Sequence, residues 1–109
     1  MSLSAHTAPT DAQPWLAKLP TEITETLTAP IETFIDGRNL ACPMPLLKTK
    51  VGLRTVNMGN MLYLLATDPN SQTDIQAFCR QSNLPLYQYT TPNDTTEGFV
   101  YHFFILKSQ

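Results

Sequence analysis

A chain of 109 residues, 42% hydrophobic and 15% charged, is sized for one domain around one packed core and is unlike a disordered chain in composition. Its formal charge of -2 is acidic over residues 1–33 and slightly basic over 34–109. Neither part has the basic excess of a phosphate-binding surface, so no direct nucleic-acid contact is expected. The apolar runs MLYLLA (61–66) and FVYHFFIL (99–106) fall well short of the ~20 residues that cross a bilayer, and the first ten residues have neither the basic start nor the apolar stretch of a signal peptide.

Residues 1–33 hold Pro9, Pro14, Pro20 and Pro30 without a steady period. They read as a Pro-rich N-terminal extension, partly ordered or packing on the sheet, ahead of a domain over 34–109. Within it TEITETL (21–27) suits one or two helical turns. TFID (33–36) predicts a short strand, and a turn over 37–41 follows. PMPLLKTKVGLRTV (43–56) predicts a helix opened by proline, whose missing N–H falls among the unpaired donors of a first turn.

MLYLLAT (61–67) is a continuous apolar run of strand length, as expected for a strand buried on both faces. DPNSQTD has turn chemistry, with Ser71 and Asp74 near capping-box spacing, and leads into a second helix, IQAFCRQS (75–82), with Ile75, Phe78 and Cys79 on one face. LPLYQYT (84–90) and GFVYHFFIL (98–106) predict a hairpin. The order β-α-β-α-β-β predicts a two-layer α/β sandwich, with two helices on one face of a four-stranded mixed sheet. The last strand is nevertheless apolar on both alternating sets. Its second face therefore needs cover, either from Trp15, Leu16, Leu19, Ile23, Leu27 and Ile31 of the extension or from a second subunit; a monomer or a weak homodimer follows accordingly.

Cys42 stands ahead of Pro43 and Pro45. If the helix begins at Pro43, Cys42 is its N-cap, and the unpaired amides with the positive helix end favour a thiolate. The prolines hold that sulfur in one geometry. Two readings stand at this point, a reactive thiol and an ordinary helix start. Arg38, Lys48 and Lys50 gather basic charge around the thiol, and Met44 offers an apolar contact, so these four are candidate partner-docking residues. Cys79 reads as core packing. His6 and His102 read as structural, and with two separated cysteines they offer no metal-ligand spacing, so no metal is expected. The two cysteines favour reduced thiols in a cytoplasmic setting.

DGRNLACPMP closely resembles the D-x-x-G-L-x-C-P-x-P signature of the TusA/SirA-like sulfur carrier family, and ATDPNSQTDIQAFC resembles that family's A-x-D-P…D-I-x-x-F segment. The resemblance covers roughly 34–107; Asn39 replaces the usual glycine. It implies a sulfur carrier whose Cys42 accepts sulfane sulfur as a covalent persulfide, with no other cofactor. A cysteine desulfurase or rhodanese-like protein would supply that sulfur, and an acceptor protein in tRNA thiolation, cofactor biosynthesis or sulfur metabolism would receive it. Such a protein is a sulfurtransferase-like relay more than a substrate-turnover enzyme. The alternative is a non-catalytic regulatory or interaction module, with Cys42 a redox-sensitive or inert helix cap.

Overall fold

The structure, a computed structural model, describes residues 8–27, 29–94 and 97–108; His6 lies outside them. The extension forms a 3-10 turn (Thr10–Ala12) and two short helices, α1 (Gln13–Ala17) and α2 (Thr21–Thr26). The domain then runs β1 (Ile31–Gly37), α3 (Met44–Leu53), β2 (Met61–Ala66), α4 (Asn70–Ser82), β3 (Leu86–Pro92) and β4 (Phe99–Leu106). The sheet order is β1-β2-β4-β3, with β1 and β2 parallel and β4 antiparallel to both of its neighbours. This is the expected α/β fold with a four-stranded mixed sheet.

Alternation along the central strands divides the core in two. Leu62 and Leu64 of β2 and Phe103 and Ile105 of β4 face the two long helices, packing with Leu53, Ile75 and Cys79. Met61, Tyr63 and Leu65 of β2 and Val100 and Phe104 of β4 point the other way. There they meet Ala12, Leu16, Leu19 and Leu27 of the extension, all buried. The extension thus adds a third layer, and the doubly apolar last strand is explained by cover from within the same chain. Tyr63 stacks on Phe104 at 4.3 Å between ring centroids and meets the edge of Phe34 at 5.2 Å.

Element ends differ from the sequence reading for local reasons. β1 begins at Ile31, and its pairing shifts between Ile31 and Thr33. That irregularity lets Ile31 and Phe34, three residues apart, share the extension face. The second helix begins at Asn70, before the expected Ile75, because the Asp68 carboxylate accepts the Asn70 N–H at 2.9 Å. Ser71 is therefore inside the first turn rather than its cap, and its Oγ is buried without a hydrogen-bond partner among the described residues. α4 ends with Asn83 in the left-handed region (φ 57). There the Asn83 N–H reaches the Arg80 carbonyl at 3.3 Å and the Leu84 N–H the Cys79 carbonyl at 2.9 Å, a Schellman closure. Leu84 is thereby used in ending the helix, and β3 starts two residues late.

α3 turns Pro45, Thr49 and Leu53 inward, with Gly52 close against the sheet. At the end of β1, a Cβ on Gly37 would lie 2.7 Å from the Leu65 carbonyl oxygen. Backbone cannot yield there as a flexible side chain can, so Gly37→Ala is expected to cost about 1–3 kcal/mol, read as a lower urea midpoint at unchanged m-value.

Candidate functional site

Two parallel strands each followed by a helix bring both strand-to-helix turns to the same edge of the sheet, where sites of open α/β sheets form. The turn after β1 carries Cys42, and the turn after β2 carries Asp68. Two contacts join them, and a third reaches the helix that follows. The Asn39 N–H donates to Thr67 Oγ1 at 2.9 Å, the Cys42 N–H donates to Asp68 Oδ2 at 2.8 Å, and the Cys42 thiol donates to Asp74 Oδ2 of α4. Asn39 adopts φ 66, a left-handed conformation that asparagine tolerates better than most side chains.

The helix start differs from the expectation by one residue. α3 begins at Met44 with Pro43 at the cap position, so Cys42 precedes the cap; Pro45 sits in the first turn, and the Cys42–Pro43 peptide is cis. Cys42 is exposed. Its electrostatics also reverse the expectation of a stabilised thiolate. The hydrogen bond to Asp74 pushes the thiol up from its ordinary range, desolvation adds to this, and the negative charges of Asp74 and Asp68 act the same way. Asp68 is held below the usual carboxylate range by the Cys42 and Asn70 amides it accepts.

Asp74 and Asp68 are functional candidates that the reading of single elements missed. Both stand in ATDPNSQTDIQAFC, where capping and turn chemistry accounted for them, and only the fold brings them to the sulfur. The four candidate docking residues separate. Met44 joins Leu47 and Val51 in an exposed apolar stripe, at 43%, 46% and 60% exposure. With Lys48, Thr33 and Ile35 these line a groove of about 440 Å³. Lys50 instead places its ammonium 5.5 Å above the Phe78 ring of α4. Arg38 is committed elsewhere: its guanidinium forms a two-pronged pair with Asp36 at 2.8 and 2.7 Å and lies 4.4 Å from the centroid of Trp15 in the extension.

Cys79 is buried, and burial pushes its thiol up to about 11. His102 is buried between Tyr63 Oη and Thr91 Oγ1, at 2.6 and 2.8 Å. Both therefore sit as packing residues. No group of three or more His, Cys, Asp or Glu side chains is arranged to hold a metal among the described residues. No helix there is long and apolar enough to cross a membrane.

Fold and site together define a small α/β protein that presents a single exposed thiol on a strand-to-helix turn. Comparison with known proteins supplies the family: the Sulfurtransferase TusA family matches residues 33–107, and the chain belongs to it. The chain is 35% identical over 80 residues to the sulfur carrier protein TusA of Allochromatium vinosum, spanning 73% of this chain and 99% of that protein. It is 34% identical over 53 residues to the sulfur carrier protein TusA of Pseudomonas paraeruginosa, spanning 49% and 67%. In structure it resembles the SirA-like protein of Desulfitobacterium hafniense, with a TM-score of 0.53 over 68% of this chain and 96% of that one, at 17% identity; this likeness concerns the fold.

Proposed function

We propose that the protein is a sulfur carrier that takes up sulfane sulfur on Cys42 and hands it to an acceptor protein. The observation that carries this reading is an exposed thiol, on a turn braced by Asp68, in a chain of the TusA family. In loading, the Cys42 sulfur attacks the terminal sulfur of a donor persulfide, R–S–SH. The donor S–S bond breaks, R–SH leaves carrying the displaced proton, and Cys42–S–SH results. Delivery is the same exchange with the carrier as donor, and no oxidant is consumed.

A cysteine desulfurase or a rhodanese-like protein fits as donor. Acceptors in tRNA thiolation, cofactor biosynthesis or sulfur metabolism fit the reverse step. The stripe of Met44, Leu47 and Val51, edged by Lys48 and beginning two residues after the thiol, is the surface on which such partners dock. The extension closes the far face of the sheet, which suits a carrier that works as a monomer. Both cysteines are free, as a reducing compartment such as the cytoplasm would keep them.

Incubation with a desulfurase plus cysteine, or with rhodanese plus thiosulfate, tests the reading by intact mass. The expected result is a gain of one sulfur atom that reductant removes, retained in Cys79→Ser and lost in Cys42→Ser. Undiminished loading of Cys42→Ser, or no loading of wild type by either donor, would leave the regulatory-module reading in its place.

A further inference from the structure

The contact between Cys42 and Asp74 makes the site chemically different before and after loading, and this difference rests on the carrier reading above. In the empty protein Sγ carries a proton and donates it to Asp74 Oδ2. In the loaded protein Sγ is bonded to a second sulfur and has no proton to give. The terminal sulfur of a persulfide is more acidic than a thiol and is anionic at neutral pH, so a carboxylate that bound the empty side chain now faces a negative charge. The charged groups acting on this sulfur are Asp74 from α4 and Asp68 from the β2–α4 turn, and both are acidic. Asp68 is fixed in place by the Cys42 and Asn70 amides.

We propose that Asp74 is a latch on the carrier cycle, binding the empty Cys42 side chain through its S–H and repelling the sulfane sulfur once loaded, so that the cargo turns out toward the acceptor. The repulsion acts in an exposed site and is modest, but it has only to bias one side-chain rotation between staggered wells. The same contact guards the empty carrier. A thiol kept protonated is a poor nucleophile, because the thiolate is the reacting form, so attack on the donor persulfide begins once the docked donor frees Sγ from Asp74. Asp74 is thus a positioning residue whose effect has opposite sign in the two halves of the cycle. A packing role would not produce that reversal.

The test is iodoacetamide alkylation of Cys42 in the full chain as a function of pH, resolved by peptide mass spectrometry, for the empty protein and for protein preloaded by a desulfurase plus cysteine. Asp74→Asn is expected to move the alkylation midpoint of the empty protein to lower pH and to speed alkylation at neutral pH several-fold. The ratio of loaded to empty reactivity should fall with it. Asp74→Ser serves as a second variant, since an Asn amide could itself hold the sulfur. If both variants reproduce the wild-type profile while wild type loads normally, the latch is overturned and the carrier reading stands. A wild type that takes up no sulfur overturns the carrier reading and the latch with it.

Discussion

A chain lacking residues 1–29 is expected to melt roughly 10–20 °C below the full protein, or to associate with itself at concentrations where the full protein does not. Truncation removes Leu16, Leu19 and Leu27 from the face formed by Met61, Tyr63, Leu65, Val100 and Phe104. A buried leucine contributes about 1.5–3 kcal/mol relative to an exposed one. The uncovered face would also be a contiguous apolar patch on the two central strands, the kind of surface that drives association. Pro30 is retained because its carbonyl accepts the Met61 N–H at 2.8 Å. Leu16→Ala, which leaves the chain intact, is expected to lose about 2–5 kcal/mol by the same contacts. An unchanged melting midpoint, with a monomer by sedimentation, would show that the extension is not structural cover.

The second large effect is on acid stability. Desolvation, with a smaller contribution from the charge of Lys18, lowers His102 from its ordinary 6.5 to about 4. The buried ring stays neutral, so one of its nitrogens accepts and the other donates toward the Tyr63 and Thr91 hydroxyls. The unfolded chain binds a proton at this histidine around pH 6.5 and the folded chain only near pH 4. Between those values the unfolded state holds more protons, so stability falls as pH falls. The full contribution, present above pH 6.5 and lost by about pH 4, comes to about 3 kcal/mol. Urea unfolding along a pH series should show this slope in wild type and a flatter one in His102→Gln. Parallel slopes would mean that the ring is not held neutral by its surroundings.

Much of the fold was legible because its signals are local. The run at 61–66 and the doubly apolar strand at 99–106 read as strands buried on both faces, and the extension's apolar residues were one of the two covers the sequence offered, a second subunit being the other. The ends of elements were harder, since each turns on a single capping or closing bond that apolar periodicity does not reveal. Asp68 starts α4 early by accepting an amide just beyond it, and Leu84 is taken by the closure of that helix. α3 was expected as a helix, but which of its faces is buried could not be read from an apolar period. Pro45, Thr49 and Leu53 face inward while Met44, Leu47 and Val51 face out, and a buried face that includes a threonine opposite an exposed apolar stripe gives no single periodicity.

The site divides in the same way. That Cys42 sits on an exposed turn beside a helix start was readable from CPMP alone. Its chemistry was not, because the groups that govern the sulfur come from the next strand-to-helix unit. Sequence position favoured an anion stabilised by helix amides; the folded site sets two carboxylates there and favours the protonated thiol. Arg38 shows the same limit, since its partner Trp15 belongs to the extension and outside the residues matched to the family.

In the proposed cycle the transferred sulfur resides on Cys42. Loading the full chain with a desulfurase and cysteine, trapping the terminal sulfur with iodoacetamide and locating it by peptide fragmentation tests this directly. The extra sulfur is expected on the peptide containing Cys42 and none on the peptide containing Cys79, whose thiol is buried and pushed up to about 11. A trapped sulfur on Cys79, or on neither peptide after the donor has turned over, would contradict it.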